Sequence, residues 1–209
     1  SIVRFRIRVS ASWPCGLWSQ HMGGIVSPSL LCQQSSALTS WVKSYNNMKI
    51  AFNATCFNNS PSGARNRFIG IYEQLFMRLP EDEFFVFEPK DCSISDWFPP
   101  LPNVRFIQTG QLSESSLQRY LKGWFFWNRA LKKINPDIFE TFHLPLIKSP
   151  AGRTILTFHD IRYVNIPHMH SPLRCLFSRK VVRSALEKSD IVVTVSNTIK
   201  EELLDIYPK

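Results

Sequence analysis

The chain has 209 residues, 44% of them hydrophobic, with 16 Phe and 6 Trp, enough for one sizeable domain with its own core. No apolar run approaches the roughly 18 residues of a membrane-spanning helix, so that class is excluded. Cys15, Cys32, Cys56, Cys92 and Cys175 are scattered, odd in number and without a Cys-x-x-Cys pair, which argues against a disulfide framework and a structural zinc site and for reduced thiols in a cytoplasmic protein.

The net charge of +9 is unevenly spread. Residues 1–47 carry Arg4, Arg6, Arg8 and Lys43 and no acidic residue. They mix Trp13, Trp18 and Trp41 with many Ser, show no helical or strand period and begin without Met. Such a leader has the composition of a transit peptide, or else lies upstream of a true start at Met48. The second account is favoured, and residues 1–47 are expected to lie outside the domain, poorly ordered.

From Met48 the pattern is regular. Lys49–Asn53 is a short apolar strand. Pro61, Ser62 and Gly63 make a turn, and a helix follows to about Leu79 with Phe68, Ile71, Tyr72, Leu75 and Phe76 on one face. Phe84–Phe87 and Val104–Ile107 are strands, the second after a Pro-rich loop at Pro99–Pro102. Ser116–Ile134 is expected as a long helix whose stripe runs Leu117, Leu121, Trp124, Asn128, Leu131. Ile138–Thr141 and Thr154–Phe158 are further strands. Ser171 and Pro172 are an N-cap and first-turn pair opening a helix to about Lys188. Ile191–Val195 is an apolar strand, and Thr198 with Glu201 has capping-box spacing for a last helix.

Alternating elements with continuously apolar strands predict a doubly wound α/β domain, a parallel Rossmann-like sheet covered on both faces. Ligands in such sheets bind at the carboxyl ends of the strands. After the first strand come Ser62, Gly63 and Arg65: a turn glycine at a helix N-terminus suits an anion, and Arg65 adds a positive charge. A turn glycine with a solvated arginine accounts for the same residues about as well. After later strands come His143 and the pair His159-Asp160, whose imidazoles can hydrogen-bond and titrate near neutrality. A lone histidine is more often structural, but two at equivalent strand ends shift the balance toward function. Ser196, after the last strand, reads first as an ordinary N-cap and second as a hydroxyl at the cleft edge. His168 and His170 do not complete a metal-ligand spacing with His159. The basic and aromatic stretch Trp124–Trp127 with Arg129, Lys132 and Lys133 is read as core packing, with a peripheral contact at the inner face of a membrane as the alternative. The basic residues follow no nucleic-acid-binding motif, so no nucleic-acid partner is expected.

Residues 154–203, TILTFHDIRYVNIPHMHSPLRCLFSRKVVRSALEKSDIVVTVSNTIKEEL, resemble the N-terminal domain of family-four glycosyltransferases of the GT-B fold. They share its order of strand, His-Asp, proline-rich loop, Ser-Pro-capped helix, apolar strand ending in Val-Ser, and helix. PDIFETFHLP at 136–145 is similar to the family's strand ending in a His near a Pro, and MKIAFNAT with the later Ser-Gly resembles its opening strand and Gly loop. The resemblance covers about 160 residues and none of 1–47.

It implies that residues 48–209 are the acceptor-side half of a retaining, hexosyltransferase-like enzyme of the kind used in polysaccharide biosynthesis. The donor is a nucleotide-sugar such as a UDP- or GDP-sugar, and the acceptor a glycan, a lipid-linked carbohydrate or a small molecule. Gly63 and its loop would approach the donor phosphates, His143 and His159 would face the donor sugar, and Asp160 would support His159 or contact the acceptor. No metal and no other cofactor is implied. The family's opening loop is often richer in Gly than Ser62-Gly63-Ala64-Arg65-Asn66. The family's second domain, which supplies the paired acidic residues and the main donor contacts, would follow Lys209, so the chain by itself is expected to be inactive. The alternative function is a non-catalytic α/β module that binds a phosphorylated ligand or a partner protein.

Overall fold

The computed structural model describes residues 6–9, 47–113, 123–159 and 172–208. Its strands are β1 (Arg6–Val9), β2 (Lys49–Asn53), β3 (Glu83–Glu88), β4 (Val104–Gln108), β5 (Ile138–Thr141), β6 (Arg153–Phe158) and β7 (Ile191–Thr194). Its helices are α1 (Gly63–Arg78), α2 (Gly123–Ile134), α3 (Pro172–Lys188) and α4 (Asn197–Ile206), with a 3-10 turn at Ile94–Trp97. The strands form one sheet in the order β1-β7-β6-β5-β2-β3-β4. Every pairing is parallel. The fold is therefore the expected α/β, Rossmann-like one.

Register decides which side chains share a face, because paired residues of a parallel ladder lie side by side and successive residues alternate. Ile50, Phe52, Phe84 and Val86 face α1, which buries Phe68, Tyr72 and Phe76 against them. Phe52 sits at the centre of this layer, 4.8 Å from the Tyr72 ring and 5.9 Å from Phe76. Ala51, Phe85, Phe87 and Phe139 point the other way, against Trp127 and Leu131 of α2. The β5–β6 register carries that second face on to Leu156, which packs with Val192 and with Val182 and Ala185 of α3 and Leu203 of α4. Thus α1 covers one face, and α2, α3 and α4 cover the other.

Three aspartates, each one residue ahead of a strand, tie the amino ends of neighbouring strands together. Asp82 accepts from the Met48 N–H at 2.9 Å, Asp137 from Lys49 at 2.8 Å and Asp190 from Thr154 at 2.8 Å. These backbone donors lie where the ladder begins and would otherwise depend on water.

Several details depart from the periodicity. On α2 the expected Leu131 is fully buried and Trp127, 1% exposed, is buried with it; the side chain of the expected Trp124 lies outside the described residues. Trp127 lies one turn before Leu131 on the same face and so adds to the predicted stripe, and Phe126 joins it half-buried. Leu117 and Leu121 lie outside the described residues. On α1, Ile71 is exposed rather than buried. The last helix is capped by Ser196, whose side chain accepts from the Ile199 N–H, and not by Thr198. Ser196 comes first in the chain and has the extended backbone a cap requires, which leaves Thr198 inside the helix. Residues 1–47 were expected outside the domain. Arg6–Val9 instead pairs with β7 as the outermost strand, while residues 10–46 lie outside the described residues. A parallel partner satisfies the ladder groups that β7 would otherwise leave at an open sheet edge.

Gly152 stands where the chain turns into β6. A methyl group there would overlap the carbonyl oxygens of Pro136 and Asp137, and neither backbone atom can swing aside. Gly152→Ala is expected to lower unfolding free energy by about 3 kcal/mol, the upper end of ordinary overpacking, as measured by urea denaturation. Gly63→Ala is the matched control. Nothing lies within 4 Å of a Cβ at Gly63, so the stability change there should stay within about 0.5 kcal/mol.

Candidate functional site

Strand order reverses between β2 and β5. From β2 the chain moves outward through β3 to β4, then crosses back and continues through β5, β6 and β7. Connections on the two sides diverge here, so a crevice opens beyond the carboxyl ends of β2 and β5. Asn53 and Thr141 are register partners at those ends, both fully buried. The Asn53 Nδ2 group donates to Thr141 Oγ1 at 3.4 Å, and Thr55 Oγ1 donates to Asn53 Oδ1 at 2.8 Å.

Thr55 Oγ1 also lies 2.9 Å from His143 Nε2. A threonine hydroxyl has one proton, and here it goes to Asn53. His143 Nε2 must therefore carry the hydrogen and donate to Thr55. In the neutral ring Nδ1 then holds the lone pair and acts as the acceptor or base. The chain Thr141–Asn53–Thr55–His143 fixes both the position and the tautomer of this imidazole. Residues 55 and 143 are 88 positions apart and meet only because β2 and β5 are neighbours.

His159 follows β6 directly, as His143 follows β5 by two residues, and β5 and β6 are neighbours in the sheet. The His159 ring is 6.2 Å from Phe142 and 6.4 Å from Phe57, edge-on to the latter. Phe142 in turn packs on Phe57, Phe68 and Tyr72, so α1 and the loop before it support the ring against which His159 lies. Asp160 lies outside the described residues.

The remaining expected site residues have local duties. Ser62 is the N-cap of α1 and accepts from the Arg65 N–H at 3.1 Å. Gly63 opens the helix beside free space. Arg65 donates to the Asn59 carbonyl at 2.7 Å and lies 4.4 Å over the Trp97 ring, so the guanidinium braces the loop between β2 and α1. Ser196 caps α4 at the carboxyl end of β7. Among the described residues no three His, Cys, Asp or Glu side chains gather as a metal site.

Just below the crevice lies a group that sequence reasoning missed. Glu140 is buried in mid-sheet on the α1 side, where Thr157 Oγ1 donates to its Oε1 at 2.5 Å and the Tyr72 hydroxyl hydrogen-bonds to it. Burial pushes the carboxyl above its ordinary range, although the two hydroxyls and the Arg67 charge pull the other way. The Tyr72 phenol is raised well above its ordinary value, first by burial and then by the Glu140 charge. A glutamate inside the apolar strand IFET was the signal available in the sequence. With a raised folded-state value, the native protein keeps a proton that the unfolded chain has released. Stability from this group is therefore full below the ordinary carboxylate range and falls as pH rises through the folded value. The melting temperature of the parent, measured against Glu140→Gln, is expected to decline as pH is raised from about 4 to 7; a flat difference would remove the buried carboxyl as its cause.

The description Glycosyltransferase Family 4 matches residues 84–209, more than half of the chain and including β3 to α4 with both histidines. The chain belongs to glycosyltransferase family 4. No curated protein matches it. Among solved structures, the Bordetella bronchiseptica enzyme WbmH in complex with NAD+ is similar at 15% identity and a TM-score of 0.40, over 70% of this chain and 54% of that one. The chain thus spans about half of that structure's length, and a likeness this distant carries no argument about chemistry. Family membership supports a glycosyltransferase-like role in general. No described helix is long and apolar enough to cross a membrane.

Proposed function

We propose that residues 48–209 are the acceptor-side half of a retaining glycosyltransferase of the GT-B type. It moves a hexosyl group from a UDP- or GDP-sugar to a glycan, lipid-linked or small-molecule acceptor. The observation that carries this reading is the Asn53–Thr55–His143 chain at the switch point of a family 4 domain. An imidazole held in position at the carboxyl ends of the strands suits a hydrogen bond to a sugar hydroxyl.

In this proposal His143 and His159 hold the donor sugar so that its anomeric carbon faces the acceptor, and Asp160 supports His159. The free space at Gly63 and the amino end of α1 receive a phosphate of the donor, since unpaired N–H groups and the helix dipole favour an anion there. Ser62 and Arg65 shape that loop through their own hydrogen bonds. Ser196 borders the cleft beyond β7. Contacts to the nucleotide come from a second domain of the GT-B type.

The test is sugar transfer by the polypeptide carrying this domain, with UDP- and GDP-sugars and the anomeric configuration of the product read by NMR. Retention with loss of transfer in His143→Ala and His159→Ala supports the proposal. Inversion removes the retaining claim. Full transfer in both variants removes the histidines from the mechanism. Phosphate-ligand binding without any transfer favours the non-catalytic module.

A further inference from the structure

We infer that the outer surface of α2 and α3 docks on an anionic lipid bilayer, with the carboxyl ends of the strands turned toward it. Both helices pack on one face of the sheet, through Trp127 and Leu131 and through Val182 and Ala185, so their solvent sides point the same way. That shared surface is basic. It carries the exposed side chains of Arg129, Lys132 and Lys133 on α2, and Arg179, Lys180, Arg183 and Lys188 on α3. The connecting segment between β5 and β6 adds Lys148. The described part of this surface has one carboxylate, Glu187, which is paired with Arg183 at 3.1 Å. It ends at α4, whose Glu201, Glu202 and Asp205 make the neighbouring surface acidic.

Apolar side chains stand among these cations. Phe125 is 75% exposed, Leu176 56% and Phe177 54%, the three most exposed large apolar residues among those described. All three sit in the amino-terminal parts of α2 and α3. Each helix leads directly into the next strand, so those ends lie at the carboxyl side of the sheet, where the crevice opens. Between Pro145–Leu146 and α3 lies a cleft of about 210 Å³, lined on the α3 side by Lys180, Val181, Ala185 and Lys188.

Protruding Phe and Leu with Arg129, Arg179 and Lys180 one turn away and further cations along the same helices are the composition of an interfacial surface: the charges draw it to anionic headgroups and the apolar groups enter the acyl boundary. A purely polyanionic partner would use the charges and leave Phe125, Leu176 and Phe177 in water. The vesicle binding stands independently of the chemistry in the crevice. That the acceptor is lipid-borne, reaching the crevice from the bilayer, rests on the transferase reading above.

The test is cosedimentation of the chain with vesicles of phosphatidylcholine alone and of phosphatidylcholine with one-third phosphatidylglycerol, with heparin affinity measured alongside. Binding to the anionic vesicles only, weakened by added salt, is expected. Lys132→Glu with Arg183→Glu should weaken it at least about 25-fold, at about 5-fold per cation lost. Phe125→Ser with Leu176→Ser and Phe177→Ser should weaken vesicle binding about tenfold or more while heparin binding stays unchanged. Phe125→Ser alone serves if the triple variant does not fold. Equal binding to neutral vesicles, no binding to anionic ones, or vesicle binding indifferent to the apolar changes would overturn the inference; the last result would mark an acidic protein or nucleic acid as the partner. Transfer to a soluble acceptor that survives loss of vesicle binding separates this surface from the crevice.

Discussion

His143→Ala is expected to reduce sugar transfer by the polypeptide carrying this domain by about 100-fold or more, the scale of a positioned hydrogen-bonding or acid–base group, with little change in stability. The ring is half-buried at the mouth of the crevice, and its Nε2 is committed to Thr55. The loss should appear in kcat rather than in KM, because an oriented nitrogen acts most strongly as charge develops at the anomeric carbon. Thr55→Val provides the finer measurement. It removes the oxygen that accepts from Nε2 and leaves His143 in place, so the tautomer is no longer imposed. Transfer should fall less than in His143→Ala, and its pH profile should move, which a merely structural threonine would not cause. An unaltered kcat in both variants would rule out this histidine as a participant.

The second large effect concerns stability. Phe52→Ala is expected to cost about 3–5 kcal/mol, the usual range for a fully buried aromatic. Phe52 is 1% exposed in the middle of β2, and its ring contacts Tyr72, Phe76 and Phe84 at once, the last at 6.2 Å. The hole would lie between strand and helix, where the flanking backbone is held by the β3 and β5 ladders and cannot collapse onto it. The same truncation at Phe125, which is 75% exposed, should change stability by no more than about 0.5 kcal/mol. Urea denaturation of the two variants checks both figures, and similar losses would mean that the burial pattern assigned to β2 and α2 is wrong.

Much of the α/β pattern was legible because it is local. The runs KIAFN, EFFVFE and IVVT are apolar enough to be strands buried on both faces, and Ser196 is a cap read from its place between the last strand and helix. Where local periodicity allowed more than one phase, the prediction slipped. The helix ending at Ile134 has aromatic residues at 124 to 127, and the stripe read from the sequence left out Trp127. Only Phe87 and Phe139 on the opposing sheet select Trp127. Thr198 lost the cap to Ser196 for a similar reason, since two hydroxyls offered it and the extended backbone lay at the first.

The sequence by itself determined the elements, the parallel class and the placement of His143 and His159 just past two strands, because each follows from hydrophobic period and turn chemistry within a short window. The tertiary structure decided that β2 and β5 are neighbours, and hence that Thr55 orients His143 and that Glu140 meets Tyr72 and Thr157. It also decided that α2 and α3 share one face and present their cations together. These are pairings between residues 17 to 88 positions apart or between separate helices. They are set by which strands lie side by side and which face each helix covers, and a hydrophobic pattern read along one segment contains neither.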